Sequence, residues 1–310
     1  MTQYPTGVGV KSHPSLFLAA PFAMVLQCGQ FRLDLGRPAI MGVVNVTPDS
    51  FSDGGLHLTR DAAVAHARRL IDEGADIVDI GGESTRPGAP AVPLDEERAR
   101  VLPVIEALAG SGVPISVDTR KPALMREAIK AGASLVNDID ALESREALEI
   151  VAGASVAVCL MHKQGDPQTM QQNPHYDDVV TEVRDYLSRR LQAAVNAGIA
   201  RERIVLDPGF GFGKTYDHNL ALLRSLPALA ALGVPVLAGL SRKAMLGRIT
   251  GRPAHERVHA SVAAAIYAAQ KGARILRVHD VTATRDALAV WSALAGTIGV
   301  FSQGGAGDRG

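Results

Sequence analysis

The sequence predicts an α/β fold built as a single (β/α)8 TIM barrel with an N-terminal β-hairpin. One unit, a helical segment ending near a glycine and followed by a short aliphatic run, occurs seven times after an opening strand. Strict alternation of helices and strands implies parallel pairing with right-handed crossovers. Eight strands in a chain of 310 residues are the size of one closed barrel.

The elements before the first repeat set the domain limits. The first residues carry Gly, Pro and Ser without periodicity, which predicts a poorly ordered extension. Apolar residues alternate in 25–35 around Gly29, a pattern typical of a hairpin. The aliphatic run 40–46 predicts an opening strand buried on both faces. The expected domains are an extension (1–22), the barrel (23–300) and a disordered Gly-rich tail (301–310).

Glycines mark the predicted helix ends of the seven repeats. A residue just past a helix end often adopts left-handed backbone, which glycine accepts most easily. An open doubly wound sheet of eight strands is the alternative, but no Gly-x-Gly-x-x-Gly follows the first strand. The glycines are Gly74, Gly112, Gly132, Gly153, Gly198, Gly233 and Gly272.

Composition excludes several classes of protein. Acidic and basic residues number 32 each, so no overall charge favours nucleic acid or an anionic membrane. Cys28 and Cys159 are the only cysteines and lack metal-type spacing, which favours free thiols in a cytoplasmic protein. The N-terminal region lacks the pattern of a signal peptide or a membrane span.

Polar residues stand at the end of every predicted barrel strand. Strand carboxyl ends share one face of a barrel, where active sites lie. One such residue alone is more often a helix cap, but eight in succession place carboxylates where donors are needed. Those donors come from neighbouring side chains or from a ligand rich in N–H groups. The residues are Asn45, Asp79, Asp118, Asn137, His162, Asp207, Ser241 with Lys243, and Arg277 with His279.

Two glycine-rich loops add to this predicted mouth. The segment 81–88 joins hydroxyls, a cation and glycines in a polar flap. The segment 207–215 ends like a nucleotide-binding P-loop but lacks the first glycine of that motif, so nucleoside triphosphate binding is not expected. Its glycines permit close approach of a flat ligand beside Phe210 or Phe212.

The segment 262–269 is apolar nearly all round at helical spacing. A barrel covers only one face of an outer helix, so a second partner is expected. The simplest partner is another copy of the chain, which predicts a homodimer.

Seven motifs together resemble the bacterial dihydropteroate synthase family, in order along roughly residues 24–296. The resemblance implies a (β/α)8 transferase of folate biosynthesis. Such an enzyme joins 4-aminobenzoate to the diphosphate ester of 6-hydroxymethyl-7,8-dihydropterin and releases pyrophosphate by a dissociative substitution. The motifs lie at 41–55, 81–88, 117–119, 137–139, 207–214, 241–243 and 277–280.

The same resemblance implies roles for individual residues. Implied catalytic residues are Asp118, Lys243, Arg277 and His279. Implied pterin contacts are Asp118, Asn137, Met161, Asp207, Phe212 and Lys243. Implied diphosphate contacts are Asn45, Thr85, Arg86, Arg277 and His279, with Asn45 also a ligand of Mg²⁺. Implied contacts of 4-aminobenzoate are Phe51, Thr85, Pro87 and Ser241.

One position departs from the family pattern, and two other function classes remain open. Lys163 stands where family members often carry an uncharged residue, which affects only the surface of the fifth loop. The first alternative is a folate-dependent methyl transfer barrel with a corrinoid partner. The second is a non-catalytic pterin-binding paralogue. Arg277 with His279 argues against the first, and intact Asn45, Arg86 and Lys243 argue against the second.

Overall fold

The computed structural model describes residues 24–47, 56–84, 88 and 90–295. The predictions for 1–22 and 301–310 lie outside these residues. The strands are β1 Val25–Cys28, β2 Phe31–Asp34, β3 Ala39–Asn45, β4 Ile77–Gly81, β5 Ile115–Asp118, β6 Leu135–Asp138, β7 Ala157–Met161, β8 Ile204–Asp207, β9 Leu237–Ala238 and β10 Ile275–Val278. The α-helices are α1 Leu56–Asp72, α2 Leu94–Leu108, α3 Pro122–Ala131, α4 Arg145–Ala152, α5 Val179–Asn196, α6 Tyr216–Arg224, α7 Leu226–Ala230, α8 Ala244–Thr250, α9 Val258–Gln270 and α10 Val281–Leu294.

Eight parallel strands form the barrel. Strands β3 to β8 pair in sequence order, and β10 pairs with both β3 and β9. A parallel bridge between Leu206 and Val236 joins β8 to the approach of β9, and thus connects the two edges. The predicted barrel is confirmed over the open sheet. Strand β9 is much shorter than its aliphatic run predicts, because only Leu237 and Ala238 pair along β10.

Alternate residues of each strand face opposite layers, as the two-residue period of a strand requires. One set, such as Val78 and Ile80 of β4, packs with the helices in the larger apolar cluster. The other set, such as Ile77 of β4 and Ile275 of β10, fills the inside of the barrel in a second cluster. The barrel is therefore a packed core with a layered interior.

The N-terminal hairpin closes the amino end of this interior. Strands β1 and β2 pair antiparallel, as the alternation in the sequence predicts. Leu26, Cys28 and Leu35 are fully buried against the inner barrel cluster. Gly29 at the turn donates its N–H to the Ser155 carbonyl at 3.1 Å. Ligands must therefore reach the barrel interior from the opposite, carboxyl end.

Six of the seven glycines that mark helix ends have positive φ, as predicted. Gly153 does not, because its φ is −77°. Its N–H continues the helical pattern by donating to the Glu149 carbonyl, so the chain leaves α4 without a left-handed residue. The position of Gly153 correctly predicted the end of α4, but the prediction of left-handed backbone at this glycine was wrong.

Helix α9 is only partly covered, as its composition predicts. Ala264, Ala265 and Ala268 are buried, whereas Tyr267 is 36 % exposed. On the adjacent α10, Val290 and Leu294 are 61 % and 83 % exposed. None of the helices in the described ranges is long and apolar enough to cross a membrane.

Candidate active site

The inner face of the strands changes from apolar to polar toward the carboxyl end. Two residues after an apolar inward position, the same side of the strand carries a polar group. This step repeats on four strands and builds a polar floor above an apolar plug. The pairs are Ile77 and Asp79, Leu135 and Asn137, Val205 and Asp207, and Ile275 and Arg277.

Arg277 lies at the centre of this polar floor. Its Nε donates to Asp79 Oδ2 at 2.6 Å, and its Nη2 donates to Asp118 Oδ2 at 2.8 Å. Asn137 Nδ2 also donates to Asp79 Oδ2, at 3.2 Å. Strand β10 is thus joined to β4 and β5, and β6 to β4, by charge-assisted hydrogen bonds.

Two buried carboxylates share this one guanidinium. Burial lowers the pKa of Arg277, but Asp79 and Asp118 outweigh it and hold that pKa above its ordinary value. Burial raises the pKa of Asp118 to about 7, with Arg277 opposing and Asp79 reinforcing the rise. Asp79 is fully buried, and its Oδ1 has no hydrogen-bond partner among the described residues. A buried acceptor of this kind suits a ligand N–H.

Asp207 and Phe212 border the same floor from the glycine-rich loop. Asp207 Oδ1 accepts the N–H of Gly209 at 2.7 Å, and burial raises the pKa of this carboxyl. The ammonium of Lys243 lies 4.5 Å from the centroid of the Phe212 ring. Phe210 is 1 % exposed within the apolar core, so only Phe212 can form the wall that the sequence assigned to either residue.

Ser241 and His279 form a pair at the ends of β9 and β10. The His279 backbone N–H donates to Ser241 Oγ at 3.2 Å, and the His279 Nδ1 lies 2.9 Å from the same oxygen. Burial, with Arg242 and Arg277 next in size, lowers the pKa of His279 to about 4, so the imidazole is neutral at pH 7. Ser241 lies three residues before the first residue of α8.

The start of the glycine-rich segment 81–88, directly after β4, is held by charged side chains. Arg100 Nη1 donates to the Gly82 carbonyl at 2.7 Å. Lys121 binds both Glu83 and Glu97, and Glu97 is 1 % exposed in α2. These contacts connect the segment 81–88 to the residues that follow Asp118.

The remaining sequence assignments divide into two groups. Met161 is buried at the end of β7, where it is the register partner of Asp207. Lys163 lies 3.2 Å from Asp140 Oδ1, at the loop surface where the sequence placed it. The predicted contacts that lie outside the described residues are Phe51, Thr85, Arg86 and Pro87.

Asn45 ends β3 opposite Gly81 and carries the predicted metal role. Nowhere in the described ranges do three or more His, Cys, Asp or Glu residues gather as a metal site. Asp79 and Asp118 are held by Arg277 and do not form such a group. Mg²⁺ commonly binds one or two protein oxygens and completes its shell with water and substrate phosphates. A single amide oxygen therefore fits a metal that arrives with a diphosphate.

Asp79 is the residue that sequence reasoning undervalued. Its strand-end position placed it among the polar candidates, but no local signal separated it from the others. The ion pair with Arg277 spans 198 positions in the chain, so the partner could not be found from spacing. A buried carboxylate directly preceding a glycine-rich loop is the one signal that could have raised its rank.

Comparisons with known proteins identify the family to which the chain belongs. Residues 41–279 match the family model described as pterin binding enzyme. Dihydropteroate synthase of Neisseria meningitidis serogroup B is 54 % identical over 277 residues, 87 % of this chain and 97 % of that protein. The structure of Xanthomonas albilineans dihydropteroate synthase with 4-aminobenzoic acid has a TM-score of 0.84 and 56 % identity, covering 88 % of this chain and 99 % of that one. Its complex with 7,8-dihydropteroate has a TM-score of 0.80 and 54 % identity, covering 87 % and 98 %. The chain therefore belongs to the pterin-binding enzyme family and, within it, to the dihydropteroate synthases.

Proposed function

We propose that this chain condenses (7,8-dihydropterin-6-yl)methyl diphosphate with 4-aminobenzoate to give 7,8-dihydropteroate and pyrophosphate. The observation that carries the proposal is the cluster of fully buried Asp79 with partly buried Asp118 and Arg277 at the open end of the barrel. Its unpartnered acceptor, Asp79 Oδ1, calls for a ligand with N–H donors. The aminopyrimidinone edge of a pterin is such a ligand.

The polar floor would hold the pterin ring through complementary hydrogen bonds. Asp79, Asp118 and Asp207 supply acceptors, and the Asn137 amide already donates to Asp79 at 3.2 Å. Phe212 and Met161 supply apolar surface for the ring faces. A carboxylate in a dry pocket discriminates strongly, because a ligand without N–H groups would leave it unpaired.

The chemistry needs negative charge to be stabilised at the leaving diphosphate. The bond between the pterin methylene carbon and the ester oxygen breaks, and the oxygen keeps the electron pair. The amine of 4-aminobenzoate then forms the C–N bond and loses one proton. Arg277 and Lys243 would supply positive charge, and neutral His279 would supply a hydrogen bond at the departing group. The pterin ring delocalises the positive charge left on its methylene carbon, which favours the dissociative path.

Mg²⁺ fits this site as a partner of the diphosphate, with Asn45 as its protein ligand. When bound, it would neutralise charge that develops on the leaving oxygens. Thr85 and Arg86 are proposed for the same diphosphate, and Phe51, Thr85, Pro87 and Ser241 for 4-aminobenzoate.

A turnover assay tests the proposal. Purified full-length protein with both substrates and Mg²⁺ should release pyrophosphate in step with 7,8-dihydropteroate. Omission of 4-aminobenzoate should abolish formation of dihydropteroate. Pterin binding without any turnover would favour the non-catalytic paralogue, and methyl transfer from a folate would favour the other alternative.

We also propose that the chain forms a homodimer through α9 and α10. Tyr267, Val290 and Leu294 give these helices an exposed apolar face, and a second copy covers such a face by symmetry. Ala264, within the apolar segment of the sequence, is only 8 % exposed and would report on core packing instead. Leu294→Glu should therefore convert a wild-type dimer to monomer in sedimentation at micromolar concentration. Arg189→Glu, on the exposed side of α5, is the control, and a monomeric wild type would refute the dimer.

A cytoplasmic location is proposed on the state of the cysteines. Cys28 and Cys159 are free and buried, and burial raises the pKa of Cys28 to about 12. Such thiols are inert and do not form the disulfides of secreted domains. Fractionation of cells that express the full chain, with a periplasmic marker as control, tests the location.

A further inference from the structure

Lys214 lies at the P-loop-like end of the segment 207–215. The proposed function gives this residue no role. Lys214 is 3 % exposed, and its Nζ lies within hydrogen-bond distance of four acceptors, which share its three N–H groups. These are His162 Nδ1 at 3.0 Å and the carbonyls of His162, Gly209 and Phe212 at 3.3, 3.0 and 2.9 Å. The ammonium form of lysine can only donate, so beside it His162 accepts at Nδ1 and carries its proton at Nε2.

The loop from Asp207 to Gly213 folds tightly around this ammonium. Gly209 has a φ of +66°, and a Cβ there would lie 2.0 Å from the His162 carbonyl oxygen. The Gly213 carbonyl is fixed separately, because it accepts the Tyr176 hydroxyl at 2.9 Å. The backbone of β7 and the glycine-rich loop therefore meet with the lysine head between them.

Two groups of the proposed pterin pocket depend on this arrangement. The N–H of Gly209 holds Asp207 Oδ1 at 2.7 Å, and the Phe212 ring lies 4.5 Å from Lys243 Nζ. The carbonyls of both Gly209 and Phe212 point to Lys214. Loss of the ammonium would release the loop at two points that border the ring.

We propose that Lys214 is a positioning residue for pterin binding, whose ammonium fixes the 207–213 loop and with it the Asp207 carboxylate that accepts the Gly209 N–H. The inference rests on the proposed function, since Asp207 and Phe212 matter for catalysis only if a pterin binds there. Lys214 touches neither substrate; it acts through the loop and through Asp207.

The charges around Lys214 make this role dependent on pH. Burial lowers the pKa of Lys214 to about 7, Asp207 on β8 opposes this change, and Lys243 before α8 adds to it. His162, directly after β7, contributes no charge, because burial and then Lys214 lower its pKa to about 3. Burial raises the pKa of the Tyr176 hydroxyl, which also stays neutral. As the pH rises through about 7, the amine loses one N–H and its charge, and pterin affinity should fall.

Calorimetric titration with 6-hydroxymethyl-7,8-dihydropterin, which lacks the diphosphate, reports on the ring pocket alone. Wild-type affinity should fall several-fold between about pH 6 and pH 9, with a midpoint near the pKa of Lys214. Lys214→Met preserves the buried volume and removes the donors. It should bind about tenfold more weakly at the lower pH and lose the fall in affinity toward pH 9, so that only the change caused by Asp118 near pH 7 remains. Lys130→Met, at an exposed position of α3, should match the wild type.

Steady-state kinetics separate this inference from the proposed function. A wild type that releases no pyrophosphate refutes the function itself. A wild type that turns over, beside a Lys214→Met variant with unchanged KM for the pterin diphosphate and unchanged pH profile, refutes the inference alone. A raised KM for the pterin diphosphate with an unchanged KM for 4-aminobenzoate supports it. A role limited to stability would lower Tm and leave both KM values unchanged.

A second measurement keeps the inference testable if Lys214→Met does not fold. Resonances of ¹⁵N-labelled lysine side chains in the wild type can follow the titration of Lys214. Its midpoint should lie near 7 in the free protein and rise when the pterin is bound, because binding and protonation are reciprocally linked. A midpoint that does not move on saturation with pterin would overturn the proposal.

Discussion

The open end of the barrel buries two cations, Arg277 and Lys214, in opposite surroundings. Arg277 has Asp79 and Asp118 as partners, at 2.6 and 2.8 Å. All the partners that the structure gives Lys214 are neutral, namely an imidazole nitrogen and three backbone carbonyls. The pKa of Arg277 accordingly lies above its ordinary value, whereas that of Lys214 is lowered to about 7.

The contrast shows that burial alone does not decide the state of a charge. Desolvation disfavours both cations, and only an opposite charge at hydrogen-bond distance reverses the effect. The charge of Arg277 is therefore a permanent part of the floor. The charge of Lys214 depends on pH. The neighbouring carbonyl and imidazole dipoles hold its Nζ in place but do not keep it protonated.

The largest expected effect comes from removing the permanent cation. Arg277→Met removes the cation that pairs with Asp79 and Asp118, which should lower the free energy of unfolding by about 3–5 kcal/mol at neutral pH. The loss should shrink at acidic pH, because the stranded carboxylates can protonate. Urea unfolding measures both effects. Arg126→Met, which breaks an exposed ion pair with Glu146, should change stability by under about 1 kcal/mol.

The next effect tests how closely the loop packs around Lys214. Gly209→Ala forces a side chain into positive φ and against the His162 carbonyl oxygen, at a distance of 2.0 Å. We expect a loss of more than about 2 kcal/mol in the free energy of unfolding. Gly211→Ala also has positive φ, but its Cβ meets only the flexible Lys243 side chain at 3.5 Å. Its loss should be about 1 kcal/mol, and equal losses in the two variants would refute the close contact.

A smaller effect is expected for Asp207, the hydrogen-bond acceptor whose pKa both Arg277 and Lys214 act to lower. Asp207→Asn can still accept the Gly209 N–H but presents an N–H toward the ring. Pterin affinity should fall by about 1–3 kcal/mol, while the folded state survives. Calorimetry measures the affinity and circular dichroism checks the fold. Asp217→Asn, exposed in the first turn of α6, should bind pterin as the wild type does.

The smallest effect per pH unit is expected for the pH dependence of the free energy of unfolding, to which Asp118 and Lys214 contribute slopes of opposite sign. The pKa of Asp118 is raised to about 7, so its contribution to stability is full at acidic pH and is lost as pH rises through about 7. The pKa of Lys214 is lowered to about 7, so its contribution is full above about 10.5 and is lost as pH falls through about 7.

Each slope can reach but not exceed about 1.4 kcal/mol per pH unit, the value for a difference of one bound proton. Urea unfolding over a pH series should show the acidic-side slope disappear in Asp118→Asn and the alkaline-side slope in Lys214→Met. A slope that survives its own substitution would assign it to another group.

Much of the fold could be predicted because its signals are local. The aliphatic runs gave the eight strands, and glycines such as Gly74 and Gly132 marked the turns between helix and strand. Gly153 shows the limit of that signal, because glycine permits left-handed backbone but does not require it. The extent of β9 was also misjudged, because pairing depends on the neighbouring strands and not on its own apolar run.

The site was harder to predict, because its order comes from contacts between distant residues. Strand-end position correctly gathered Asp79, Asp118 and Arg277, but their pairing arises only when the barrel closes. Lys214 was dismissed with the failed P-loop match, although four acceptors surround its ammonium. A motif can fail as a nucleotide site and still contain a residue that organises a loop.

The amino-terminal hairpin has a consequence for synthesis of the chain on the ribosome. Leu26, Cys28 and Leu35 emerge early, yet they share one buried apolar cluster with Leu237 and Ile275, which are made near the end. Until β9 and β10 have been synthesised, the apolar face of the hairpin is only partly covered, and the amino end of the barrel stays open. Contacts this distant in sequence form late and leave apolar surface open to aggregation while the chain grows. A nascent chain that stalls before Leu237 would therefore be a natural substrate for chaperones, however complete its first six barrel strands are.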